Sequence, residues 1–202
     1  MKFLKCLKSL FHLDGGVSSA GGGSIAGHEY VDLGLSVKWA TCNVGANSPE
    51  DYGNYYAWGE TSPKSSYDKE NSKTYGKEMG YIGGNASYDA ARANWGSTWR
   101  LPTADEIDEL IDNCTWTKAT MNGINGCKVT SRVNGKSIFL PAAGHRITSL
   151  LDLVGSLGGY WGSTPLTSFT DFACYLHFDI IVGVVRIDYY RHYGRSVRPV
   201  SE

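Results

Sequence analysis

Residues 99–114 read Trp99-Arg-Leu-Pro-Thr-Ala-Asp-Glu-Ile-Asp-Glu-Leu-Ile-Asp-Asn-Cys114. Thr103 and Glu106 stand three apart, directly after Pro102. That is the pattern of a capping box, in which the threonine hydroxyl and the glutamate carboxylate each take a backbone N–H that the first helical turn leaves free. Ile107, Leu110, Ile111 and Cys114 follow at i, i+3, i+4 and i+7, which predicts a helix with one buried stripe. Asp105, Glu106, Asp108, Glu109 and Asp112 share this helix. Acids in a first turn are what the helix dipole favours, so they predict a solvated face rather than an acid–base pair. Upstream, Tyr88-Asp-Ala-Ala-Arg-Ala-Asn94 predicts a second, shorter helix ending near Gly96.

Outside the helices the pattern is that of strands. Tyr30, Val31 and Leu33, then Val37, Trp39 and Ala40, predict two strands separated by Gly34. A loop rich in turn formers and tyrosine runs from Asn43 to beyond Tyr75. Residues 127–133 and 136–140 flank Asn134-Gly135, the dipeptide best suited to a tight type I′ turn, and predict a hairpin. Strand-like runs recur at Tyr160-Trp161, Ala173 to Phe178, Val182 to Asp188 and Ser196 to Val200. The order predicts an α+β fold with two helices and mixed antiparallel sheets, its C-terminal strand free to return beside the first.

The first 13 residues, MKFLKCLKSLFHL, carry lysines at 2, 5 and 8 that interrupt any signal-peptide core. They predict a short amphipathic segment with Phe3, Leu4, Leu7, Leu10 and Phe11 near one face. Residues 14–27 have the Gly/Ser-rich composition of a linker, so the domain is expected to span 28–202.

With 202 residues, 42% of them hydrophobic and 19% charged, the chain can bury the core of one globular domain. A formal net charge of -1 leaves no basic field of the kind nucleic acid requires. No apolar run is long enough to span a membrane. Cys6, Cys42, Cys114, Cys127 and Cys174 form no CxxC pair, which disfavours a zinc site, and their odd number argues against a complete disulfide framework. A Cys114–Cys127 bridge is sterically conceivable; separate buried thiols are the preferred reading. His12, His28, His145, His177 and His192 are scattered, and no GxSxG, P-loop or HExxH occurs. These readings predict no catalytic centre, no metal and no cofactor.

Several longer stretches carry a resemblance. They are Glu29-Tyr-Val-Asp-Leu-Gly-Leu-Ser-Val-Lys-Trp-Ala-Thr-Cys-Asn-Val-Gly45, Tyr55-Tyr-Ala-Trp-Gly-Glu60, Ala93-Asn-Trp-Gly96, Trp99-Arg-Leu-Pro-Thr103, Phe139-Leu-Pro-Ala-Ala-Gly144, Tyr160-Trp161 and Ser196-Val-Arg-Pro-Val200. Together they resemble the Fibrobacter major paralogous domain family of Bacteroidota and their phages, over nearly all of 28–200. The resemblance implies a C-type-lectin-like fold related to that of the formylglycine-generating enzyme, with paired N- and C-terminal strands. Some such proteins are variable proteins of diversity-generating retroelements, which rewrite adenines in a C-terminal cassette. The resemblance therefore implies a receptor-binding protein at a virion or cell surface, such as a phage tail adhesin, displayed as a homo-oligomer. The enzyme of that fold uses a cysteine pair near its C-terminus; only Cys174 lies in the last third here, so its chemistry does not carry over. The sugar-binding motifs of calcium-dependent lectins are also missing.

Rewritten AAC or AAT codons cannot encode Lys, Glu, Gln, Met or Trp. None of the five occurs in the thirty residues from Leu166 to Arg195, although Lys, Glu, Met and Trp supply 27 of residues 1–165. Strands also disfavour Lys and Glu, so composition alone does not decide the point. Within a variable region placed at 160–200, the expected ligand-binding residues are Phe169, Asp171, Phe172, Cys174, His177, Asp179, Ile181, Gly183, Val185, Asp188, Tyr189, Tyr190, His192, Tyr193 and Arg195. Leu176 and Phe178 are expected to face inward, alternating with displayed neighbours. The alternative is a sheet buried on both faces, against which Arg186, Asp188 and His192 count, because buried charge is costly unless paired. The expected partner is a protein or glycan on a host cell; a fixed cell-surface or structural module is the competing reading.

Overall fold

The computed structural model describes residues 22–179 and 183–202. The amphipathic segment at 1–13, the first part of the expected linker and Ile181 lie outside the described residues. Among the described residues the architecture is α+β, with two helices and four antiparallel sheets.

The first sheet has the order β1-β2-β3-β12, built from Gly22–Ile25, His28–Val31, Lys38–Ala40 and Val200–Ser201. The C-terminal strand thus returns to the N-terminal sheet as expected, pairing Val200 with Trp39. The linker reading of 14–27 needs correcting, because β1 lies inside it. Glycine there serves close approach: a Cβ on Gly22 would meet the Tyr30 carbonyl oxygen at 2.7 Å, and one on Gly23 would meet the Tyr30 hydroxyl at 2.5 Å.

Helix α1 (Ala90–Trp95) is capped by the Asp89 carboxylate, which accepts from the N–H groups of Ala91 and Arg92. Helix α2 (Ala104–Asn113) begins with the expected capping box: Glu106 N–H donates to Thr103 Oγ1 at 3.1 Å and Thr103 N–H to Glu106 Oε2 at 2.8 Å. Arg100 grips the same carboxylate with two N–H groups, at 2.8 and 2.7 Å. Ile107 and Leu110 are fully buried. Cys114 is not on the helix; its backbone is extended and opens β4 (Cys114–Met121).

Strand β4 pairs with β5 (Ile124–Ser131), which pairs with β6 (Ser137–Pro141). The chain holds three Asn-Gly dipeptides, and the tight turn falls at Asn122-Gly123 rather than at Asn134-Gly135. Met121 opposes Ile124 across Asn122-Gly123, whose φ values of 49° and 83° are the two positive values a type I′ turn needs. At Asn134-Gly135 only the glycine has positive φ. The Ser131 hydroxyl explains this: it donates to the Leu33 carbonyl and accepts from the N–H groups of Val133 and Asn134, holding a wider loop over 132–135.

A two-stranded arm, β7 (His145–Ile147) with β8 (Leu150–Asp152), leads into the sheet β11-β10-β9. Strand β9 spans Leu157–Pro165, β10 Phe172–Asp179 and β11 Val184–Tyr190. One core cluster joins Leu33, Trp39, Ile107, Leu110, Leu140 and Leu176. A second joins Tyr56, Trp58, Leu101, Trp161, Tyr175 and Val197. The loop between β3 and α1 supplies the Tyr56 and Trp58 of that second core. Trp58 donates its indole N–H to the Gly162 carbonyl and Trp161 donates to the Tyr56 carbonyl, both at 2.8 Å. Cys114, Cys127 and Cys174 are free, buried thiols, each pushed up to about 11 by burial, so no 114–127 bridge forms.

Candidate functional site

The sheet β11-β10-β9 decides which expected residues can meet a ligand. Register pairs Phe172 with Tyr190, Cys174 with Asp188 and Leu176 with Arg186 on one face; Ala173 with Tyr189, Tyr175 with Ile187 and His177 with Val185 share the other. Residues 173–178 are all buried. Leu176 and Phe178 do face inward, yet their alternating neighbours are covered as well, by the core containing Trp58, Trp161 and Tyr175. The alternation expected for a displayed face therefore fails on this central strand. Arg186 does not stand against this burial, because its Nε donates to Asp108 of α2 at 2.8 Å.

Four expected contact residues change role accordingly. Cys174 packs in the first core, where a Cβ on Gly162 would come within 2.5 Å of its sulfur. His177 sits between the Asp179 carboxylate at 2.9 Å and the Tyr175 hydroxyl at 3.3 Å. His192 is buried, and burial followed by the nearby Lys69 ammonium lowers its pKa. Arg195 lies wholly inside, its guanidinium carbon 3.6 Å from the Tyr175 ring centre and 5.3 to 5.8 Å from those of Trp161, Tyr189 and Tyr193.

The remaining residues come together where β11 ends and β10 begins. Phe169, 62% exposed, meets Phe172 edge to face at 6.1 Å, and Phe172 meets Tyr190 at 4.6 Å. Tyr189 lies 5.3 Å from Tyr190 and 5.1 Å from Tyr193. Asp171 and Asp188 are partly exposed nearby on the same segment, whereas Asp179, Gly183 and Val185 lie toward the far end of the β10–β11 pair. The result is a run of half-exposed rings with a polar margin. Tyrosines of this kind offer rigid contact area at small entropic cost.

Two contributors come from outside the expected region. Tyr75 lies 6.3 Å from Tyr190 and 5.1 Å from His192. Lys69 places its ammonium 5.7 and 5.6 Å from the rings of Tyr75 and Tyr190. Arg191 holds this loop in place. Its Nε donates to the Phe172 carbonyl and its Nη1 to the carbonyls of Thr74 and Lys77, while it stacks on Trp58 at 4.4 Å. Only the tyrosine content of the loop hinted at Tyr75; its position depends on contacts more than a hundred residues away in sequence.

Among the described residues, no group of three or more His, Cys, Asp or Glu side chains is placed to hold a metal ion. No described helix is long and apolar enough to cross a membrane. No family model, curated protein or solved structure matches the chain.

Proposed function

We propose that the protein is a non-enzymatic recognition module that binds a protein or glycan on a cell surface through the aromatic run Phe169, Phe172, Tyr190, Tyr189 and Tyr193, bordered by Tyr75 and Lys69. The observation that carries this reading is the contiguity of those rings along one partly exposed margin, with Phe169 exposed, in a segment free of Lys, Glu, Gln, Met and Trp. Half-exposed aromatics that already pack on one another lose little freedom on contact, and such residues dominate binding energy at interfaces.

The motifs from Glu29 to Val200 support placing the chain in the Fibrobacter major paralogous domain family. On that reading the scaffold is C-type-lectin-like and the protein is a retroelement-diversified adhesin of a phage or of a Bacteroidota cell. Oligomeric display would multiply a weak single-site affinity. The fixed-module reading draws support from β10, where burial on both faces leaves few positions free to vary.

The test is binding of the labelled protein to a panel of Bacteroidota cells. Alanine at Phe169, Tyr189 and Tyr190 is expected to abolish cell binding while the near-ultraviolet circular dichroism is retained; unchanged binding by the folded variant refutes the assignment. An adjacent reverse transcriptase, with a near-copy of the codons for 160–200 differing only at adenines, separates diversification from a fixed module.

A further inference from the structure

At the far end of β10 and β11 from the aromatic run, the β4–β5 hairpin, the turn at Gly155 and Ser156 and the strand ends near Asp179 and Val184 enclose a pocket of about 500 Å³. That size suits a small molecule rather than a macromolecular segment. Trp116 and Phe178 give it an aromatic wall, with ring centres 6.0 Å apart and planes inclined at 48°. Phe178 lies flat enough on β9 that a Cβ on Gly158 would strike its ring.

The polar lining is organised by its own hydrogen bonds and keeps capacity to spare. The Thr120 hydroxyl donates to Asn125 Oδ1 at 3.0 Å, Asn125 Nδ2 donates to the Gly155 carbonyl at 3.3 Å, and the Ser156 hydroxyl donates to the Leu153 carbonyl at 3.0 Å. This leaves lone pairs on both hydroxyls, and one amide hydrogen and one lone pair on Asn125. The buried Trp116 Nε1 has no acceptor among the described residues. Donors and acceptors are therefore interspersed, which matches ligand groups that are both at once, namely hydroxyls. Lys118 and Asp179 both line the pocket, so it carries no one-sided charge, and Asp179 is already engaged by His177 at 2.9 Å.

We propose that this pocket binds a neutral, hydroxyl-rich small molecule with one apolar face, the chemistry of a single pyranose sugar. Its apolar face rests on Trp116, which Phe178 backs from the core, and its hydroxyls bond to Thr120, Asn125 and Ser156. The site stands apart from the aromatic run and does not depend on the function assigned to it.

The experiment titrates ¹⁵N-labelled full chain with glucose, galactose, mannose and N-acetylglucosamine, reading the Trp116 indole N–H resonance assigned by its loss in Trp116→Phe. The indole signals of the other tryptophans report that the fold is intact. The expected result is a saturable shift of the Trp116 signal with at least one sugar, at millimolar concentration, weakened tenfold or more by Asn125→Ala. Absence of a saturable shift with all four sugars overturns the proposal. So does equal affinity in a folded Asn125→Ala variant, or a stronger response to leucine or inorganic phosphate than to any sugar.

Discussion

The guanidinium carbon of Arg195 lies 3.6 Å from the ring centre of Tyr175, and neither Nε nor Nη1 has an acceptor among the described residues. A buried cation held by ring faces rather than by carboxylates depends on the flat shape of its head group. Arg195→Lys is expected to destabilise the fold by about 3 kcal/mol, because a compact ammonium keeps the charge but loses the stacking. Arg195→Met should cost less, about 1 to 2 kcal/mol, since no buried partner charge is left behind. Guanidinium-chloride unfolding of the two variants checks the order.

Arg198 is buried to the same degree but differently held. Its Nε donates to Asn43 Oδ1 at 2.8 Å, Nη1 to the carbonyls of Ala40 and Thr41, and Nη2 to the Phe139 carbonyl at 3.1 Å. It ties the first sheet to β6. Arg198→Met strands several acceptors at once and is expected to cost about 3 to 5 kcal/mol, more than Arg195→Met, in the same unfolding experiment.

Glu106 predicts an acid-sensitive helix start. Burial alone pushes its carboxyl up, but the Arg100 guanidinium and then the Thr103 amide outweigh it, and its pKa ends below the usual carboxylate value. A depressed folded pKa gives stability that is present above the unfolded value and is lost as pH falls through the folded one. Glu106→Gln should therefore be less stable than wild type at pH 7, with the gap closing on acidification below pH ~4. Thr103→Ala should cost about 1 kcal/mol, with a weaker pH dependence than Glu106→Gln, because the Arg100 contact that does most to lower the Glu106 pKa stays in place.

His145 titrates in the other direction. Burial, and then the Arg195 charge, lower its pKa to about 4. The unfolded chain therefore takes up a proton first. Stability from keeping this imidazole neutral is complete above the unfolded value near 6.5 and declines as pH falls toward 4. His145→Gln is expected to flatten that part of the stability profile, read by denaturant unfolding at pH 7, 5.5 and 4.5.

The Arg186–Asp108 pair, with side chains 31% and 40% exposed, is expected to contribute little. Asp108→Ala should cost no more than about 1 kcal/mol, and the cost should shrink in high salt.

The parts of the fold that were legible in the sequence are those whose cause is local. Thr103 and Glu106 announce α2 because both partners of the capping box lie within one turn. Asn122-Gly123 and the Thr-rich run Thr115 to Thr120 carry an equally local signal for the β4–β5 hairpin, stronger than the one at Asn134-Gly135. The outcome at 134–135 was not local: it turns on Ser131 donating to Leu33, 98 residues away. The same distinction runs through the site. Phe169 and Tyr190 could be picked out from their own segment. The burial of His177 and Arg195 could not, because the second layer over β10 is supplied by the loop around Trp58, whose place no periodicity encodes. Gly22 and Gly23 misled in a related way: composition shows glycine, and only the neighbouring Tyr30 shows why it is required.

The crossed indole bonds of Trp58 and Trp161 join segments 104 and 105 residues apart. Contacts of such separation reward the chain only after most of the loop-closing entropy has been spent, so they slow folding. On the ribosome, Tyr56 and Trp58 must wait for residues 161 and 162 to emerge. Until then, the core around Trp58 has no second wall, and the nascent chain exposes aromatic surface that a chaperone can bind.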